Sequence, residues 1–189
     1  MRNKPDTRSK LLDAAARLFY AHGISATGID AVIAEAGVAK MSLYNNFESK
    51  AGLVQAYLEA RHQQWLDLYR ARLGEEPGGH DGVMAVVGAY LDHAEAGYEH
   101  GFRGCGLLNA AAELEASDPG RKIVAAHKEE VEQFLQGHLG KLTSPDTARD
   151  LAERISYLLE GAISRAGLEG DSRRLRRAGD MISSMVRAL

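Results

Sequence analysis

The chain has 189 residues, 45% of them hydrophobic, and a formal net charge of -3 at pH 7. That length holds a core of ordinary size, in one domain or in a small domain joined to a larger one. No apolar run approaches the roughly 18 to 20 uncharged residues of a membrane span, and Met1 to Asp6 lacks the apolar stretch of a signal peptide. A cytoplasmic protein with no membrane partner is expected. Cys105 is the only cysteine, so no intrachain disulfide and no cysteine-based zinc cluster can form within one chain.

Charge is unevenly spread. In the first fifty residues Arg2, Lys4, Arg8, Lys10, Arg17, Lys40 and Lys50 face Asp6, Asp13, Asp30, Glu35 and Glu48, which leaves that stretch slightly positive and the remainder acidic. A nucleic-acid-contacting head on a neutral or acidic body has this balance.

Leu11, Leu12, Ala15, Leu18 and Phe19 recur at helical spacing, with Asp6 or Thr7 as N-cap and Gly23 as the stop after His22. Thr27 and Asp30 make a start resembling a capping box for a second helix, whose face is Ile29, Val32 and Ile33 and whose end is Gly37. A third helix from about Ala39 carries Leu43 and Phe47 inward. Ser49 caps a long fourth helix through Leu53, Tyr57, Ala60, Trp65, Leu68 and Leu73, ended by the glycine-rich run from Gly74 to Gly79. Further helices are expected at about Gly82 to Glu99, Cys105 to Ala116, Pro119 to Leu139, Pro145 to Ala166 and Ser172 to Ala188, separated by Gly, Ser, Asp and Pro turn chemistry. No period-two alternation bounded by hairpin turns occurs, and repeats and low-complexity tracts are absent. The expected fold is all-α, about nine helices, divided as 1–49 and 50–189.

Two short apolar helical patterns broken at Ala36-Gly37-Val38 are the signature of a helix-turn-helix, whose second helix enters the DNA major groove. With Leu43 and Phe47 packed inward, Lys40, Met41, Ser42, Tyr44, Asn45 and Asn46 remain for the outer surfaces. Thr27 and Gly28 begin a helix whose N–H groups and positive dipole end suit a phosphate. The same residues also fit an ordinary helical hairpin, with Lys40 and Lys50 as solvated charges and Thr27 as a plain cap.

Thr27, Ala36-Gly37-Val38, Leu43-Tyr44-Asn45-Asn46-Phe47 and Lys50 resemble the head of the TetR family of one-component transcriptional regulators, over roughly residues 7 to 60. The resemblance implies a helix-turn-helix head on a larger helical body that binds an effector and dimerises. By the same analogy Tyr44 and Lys50 contact phosphates. Lys40 is left a phosphate or guanine, Ser42 a phosphate or base edge, Met41 a thymine methyl and Asn45 an adenine. Two departures stand out: Asn46 occupies a position usually histidine, and Ala39 one where a capping serine is common.

In the family the last two helices form the dimer. Here these are Pro145 to Ala166 and Ser172 to Ala188, which alternatively complete the monomer core. Effector candidates are Trp65, Tyr69, Tyr90, Phe102, Phe134 and Tyr157 as walls, with His93, Asn109, Glu113 and His127 as polar anchors. Asn109 and Glu113 lie one helical turn apart and, with His93, His100 or His127, offer nitrogen and oxygen ligands to a transition metal. The plainer reading is a mutually satisfied polar pair beside a histidine. Cys105 is a thiol sensor or, more commonly, a small buried apolar residue.

The function expected is a ligand-responsive homodimeric repressor, released from a palindromic operator on double-stranded DNA by a small-molecule effector. A metal- or redox-responsive regulator using the same head is the alternative. No nucleophile motif, phosphate loop or metal-protease spacing is present, so neither enzymatic activity nor a cofactor is expected.

Overall fold

A computed structural model of the protein describes residues 6–75 and 77–189. Among them the regular structure is wholly helical: α1 (Thr7–His22), α2 (Ile29–Ala36), α3 (Lys40–Phe47), α4 (Lys50–Arg72), α5 (Gly79–Ala94), α6 (Gly106–Glu113), α7 (Pro119–Leu139), α8 (Pro145–Glu169) and α9 (Arg173–Arg187). The caps explain several of the boundaries. Asp6 accepts a hydrogen bond from the Ser9 N–H at 2.7 Å and starts α1. Ser144 caps α8, whose first residue is Pro145, where the missing N–H costs nothing. Gly37 closes α2 with φ +63°, a left-handed conformation that glycine adopts without steric penalty.

The chain divides into two compact units. The first runs to His62 and takes in Gly106–Val124; the second comprises Gln63–Cys105 and Ala125–Leu189. The first therefore extends beyond the three-helix head to the opening turns of α4, all of α6 and the start of α7. Its core is Leu11, Ala14, Ala15 and Phe19 of α1, Val32 of α2, Leu43 and Phe47 of α3, and Leu53, Tyr57 and Leu58 of α4, all buried. The Phe19 and Tyr57 rings meet edge to face at 5.4 Å, a favoured aromatic geometry.

In the second unit α5 packs against α8 and α9. Val83, Val86 and Ala89 of α5, Ile155, Leu159 and Ile163 of α8, and Leu175 and Ile182 of α9 fill the interior. Small residues bring the helices close: a Cβ on Gly179 would stand 3.0 Å from Val87 Cγ1, and one on Gly82 would collide with the His138 ring. The expected start of α5 at Gly82 is thus one turn late, because Gly79 and Gly82 serve as packing contacts inside the helix.

Candidate functional site

α2 and α3 are separated only by Gly37, Val38 and Ala39, and the Val38 N–H returns to the Ile33 carbonyl at 3.3 Å. Buried Leu43 and Phe47 fix the rotation of α3. Its opposite face then carries Met41 at 65% and Tyr44 at 40% exposure, with Lys40, Asn45 and Asn46 also exposed and Ser42 half-buried. Large apolar groups held in water by a rigid helix mark a surface made to be covered. The Lys40 ammonium sits 2.9 Å from Asp30 Oδ1. That hydrogen bond and the attraction of Asp30 keep the Lys40 proton above its usual lysine affinity. Both partners are exposed, so the pair is weak in water.

Three of the expected contact residues have hydrogen-bond partners within the chain. Thr27 does not cap α2: its hydroxyl donates to the Gly23 carbonyl at 2.7 Å and the residue is 4% exposed, while Gly28 is the N-cap with no side-chain bond. The first N–H groups of α2 therefore have no side-chain cap. Lys50 directs its ammonium to the Ile24 carbonyl at 2.7 Å, an internal tie between the α4 N-terminus and the α1–α2 turn. Asn46 donates to the Ser42 carbonyl one turn back at 2.7 Å. That bond uses one N–H of the Asn46 amide, and both Asn45 and Asn46 remain exposed.

The effector candidates separate into groups. In the second unit Trp65 lies nearly parallel to Tyr69, with centroids 5.7 Å apart, and Tyr69 stacks on Phe134 at 4.7 Å. Trp65 also meets Tyr90 and His127 edge to face at 5.8 and 5.5 Å. His93 joins a second ring cluster with Tyr98 and Phe102, and the Tyr98 hydroxyl is 2.9 Å from His93 Nδ1. Asn109 and Glu113 belong to the first unit instead. Glu113 binds the N–H groups of Ile24 and Ser25 at 3.0 and 2.8 Å, which occupies the carboxylate expected to anchor an effector. Tyr157 is no wall: it stands 65% exposed on α8, with its hydroxyl on Glu153 of the same helix.

Sequence reasoning missed a half-buried polar group beside the Trp65 cluster. Lys128 Nζ is 2.7 Å from Glu160 Oε1 and 3.6 Å from the Cys105 sulfur, and the Tyr90 hydroxyl donates to the same Glu160 oxygen at 2.6 Å. Burial opposes the Lys128 charge, yet Cys105 and Glu160 outweigh it and raise the lysine pKa. Burial, with Glu160 adding to it, pushes the Tyr90 phenol well above its usual value, so it stays protonated and donates. His138 was missed too; it shares a 2.6 Å hydrogen bond with Tyr69, and burial lowers its pKa. These partners lie 23 to 70 residues apart, beyond any local sequence signal. Trp65 Nε1, His138 Nδ1 and Glu160 Oε2 are buried with no hydrogen-bond partner among the described residues. Nor do three His, Cys, Asp or Glu side chains converge there as a metal site, and Cys105 is buried. No described helix is long and apolar enough to cross a membrane.

Residues 11–57 match the family model described as bacterial regulatory proteins, tetR family. The transcriptional regulator TtgR of Pseudomonas putida is 37% identical over 71 residues, which cover 38% of this chain and 34% of that protein. The match thus spans about a third of that relative's length. Across almost the whole chain, the crystal structure of SCO4454, a TetR-family transcriptional regulator from Streptomyces coelicolor, is 30% identical with a TM-score of 0.81, covering 96% of this chain and 93% of that one. A TetR transcriptional regulator from Chloroflexus aurantiacus, 24% identical, shares the fold with a TM-score of 0.83 over 99% of this chain and 97% of its own.

Proposed function

The chain belongs to the TetR family of DNA-binding transcriptional regulators, a family without enzymatic activity, and on that premise we propose that it is a homodimeric repressor released from an inverted-repeat operator by a small-molecule effector. One observation carries the DNA contact. Met41 and Tyr44 are exposed on a helix whose rotation is locked by Leu43 and Phe47, beside the uncapped start of α2. Lys40, Met41, Ser42, Tyr44 and Asn45 are the readers, and the N–H groups following Gly28 set the register on a phosphate.

The dimer reading rests on α8 and α9. Tyr157 and Leu168 are exposed at 65% and 84% and lie three helical turns apart on one face. Met181 of α9 is exposed at 43%. A two-fold pair of such helix couples makes a four-helix interface, and an inverted repeat asks for two heads about 34 to 36 Å apart. The effector reading rests on the aromatic cluster around Trp65 and its three unpaired buried polar atoms. A bound molecule offering hydrogen-bond partners would meet them.

Selection of duplexes from a random DNA pool tests the DNA half. Enrichment of an inverted repeat, bound as a dimer and weakened by Tyr44→Ala, is expected; recovery of no sequence rejects it. Leu168→Asp should give monomers that hold the operator poorly, and an unchanged dimer would reject this interface. Screening metabolites and toxic organic compounds against the operator complex tests release.

A further inference from the structure

The turn between α1 and α2 is held from two sides by side chains distant in sequence. Glu113, the last residue of α6, takes the Ile24 N–H on Oε1 at 3.0 Å and the Ser25 N–H on Oε2 at 2.8 Å. Lys50, the first residue of α4, donates to the Ile24 carbonyl at 2.7 Å. Both backbone groups of Ile24 are therefore bound by side chains from other helices, while the Ile24 side chain is 6% exposed. The approach of Glu113 is built into the backbone, since Gly23 sits at φ +93° and a Cβ there would stand 2.7 Å from Glu113 Oε1. The turn continues through Thr27, whose hydroxyl returns to the Gly23 carbonyl at 2.7 Å, and α2 starts immediately after Gly28.

Such a bidentate carboxylate does more than neutralise a loop. Two N–H groups aimed at two oxygens fix both distance and orientation, and bonds to an ionised acceptor are about twice as strong as neutral ones. The clamped segment leads directly into the α2 N-terminus, the feature that sets register on DNA in the reading proposed above. We propose that Glu113 is a positioning residue for operator recognition: it ties the α1–α2 turn to α6, so that the placement of α2 and α3 depends on where α6 lies. This inference rests on the DNA-binding reading. It assigns to α6 a direct hold on the head through backbone N–H groups, in place of the effector contact expected for Glu113.

The test uses the full-length protein with the selected operator and a random-sequence duplex of equal length, and compares Glu113→Gln, Glu113→Asp and Glu113→Ala. Exchange of the Ile24 and Ser25 amides reports the clamp, and thermal melting reports stability. With Glu113→Ala, both amides should lose protection and operator affinity should fall about tenfold, the scale of one charge-assisted hydrogen bond. Affinity for the random duplex should hold. Glu113→Gln, which keeps one oxygen acceptor, should fall between. Glu113→Asp keeps the charge but reaches about one bond less, and should resemble Glu113→Ala, because reach decides. Lost protection with full operator affinity would overturn the proposal, as would equal losses on both duplexes that follow the melting temperature. If the unaltered protein selects no DNA sequence, the DNA-binding reading itself fails, an outcome separate from wild-type selection with indifferent variants.

Discussion

Gly52 sits in the first turn of α4, where alanine is ordinarily better than glycine by about 1 kcal/mol. Here the sign reverses. A Cβ on Gly52 would stand 2.2 Å from the Phe47 carbonyl oxygen, with the Phe47 carbonyl carbon at 3.3 Å. Ordinary contact begins near 3.4 Å, so a backbone atom must retreat by about 1 Å. It has little slack: that oxygen also accepts the Ser49 N–H at 2.6 Å. Glu48 between them is at φ +61°, a strained conformation for a non-glycine residue. The Phe47 ring cannot follow, being 6% exposed in the head core. Overpacking of this kind costs about 1–3 kcal/mol, and a backbone clash of this size belongs at the upper end, so Gly52→Ala should be destabilising by about 1–2 kcal/mol after about 1 kcal/mol of helix gain. In a chain of this size that lowers the melting temperature by roughly 2–8 °C. Gly137 of α7 is the control, because a Cβ there meets nothing within 4 Å. Gly137→Ala should be stabilising by about 0.5–1 kcal/mol. Denaturant titration of both variants, paired with operator binding, is the assay. If Gly52→Ala melts at or above Gly137→Ala, the close approach of α3 to α4 is not the constraint described.

Lys128→Met should destabilise by about 2–3 kcal/mol, since it strips Glu160 Oε1 of a charged partner in a mostly buried setting; adding Glu160→Gln should recover part of the loss, and no recovery in chemical denaturation would sink the pairing. His138 has its pKa lowered from 6.5 by burial, with Lys141 adding to the effect. Its contribution is full above about pH 6.5 and declines as pH falls from there toward the lower folded value, because the unfolded chain then binds the proton first. Melting temperature followed from pH 7.5 to 5 should therefore fall less steeply in His138→Gln than in the wild type, and parallel curves would refute the assignment. Lys40→Ala should lower operator affinity and reduce the slope of log affinity against log salt by about 1, as loss of one phosphate contact does; an unchanged slope would place Lys40 off the backbone.

Local rules located what local chemistry decides. Asp6 and Gly23 bracket α1 where capping preference put them, and Gly37 closes α2 because the left-handed residue a short turn needs is glycine. The inward pair Leu43 and Phe47 follows from spacing alone, and with it the outward face of α3. Failures begin where a side chain found a partner outside its own helix. Thr27 looked like a cap until its hydroxyl had the Gly23 carbonyl available. Glu113 looked like a neighbour of Asn109, one turn away, yet it reaches a turn 88 to 89 residues earlier. Lys128 and Glu160 gave no signal at all, each reading as an ordinary charge on a helix surface. The second unit is thus legible as helices with apolar faces, while its buried polar contacts are written only in three dimensions.

Trp65 is the protein's single tryptophan, and it lies among Tyr69, Tyr90 and His127 at 94% burial by residue, or 6% exposure. Every photon emitted from an indole in this protein therefore originates inside the second unit, with an unpaired ring N–H as the group most sensitive to what arrives beside it. Light excited at the red edge of the aromatic band bypasses the tyrosines and addresses this one site. The chain accordingly carries a built-in optical probe of the interior of the second unit, which reports without a label whatever reaches that ring.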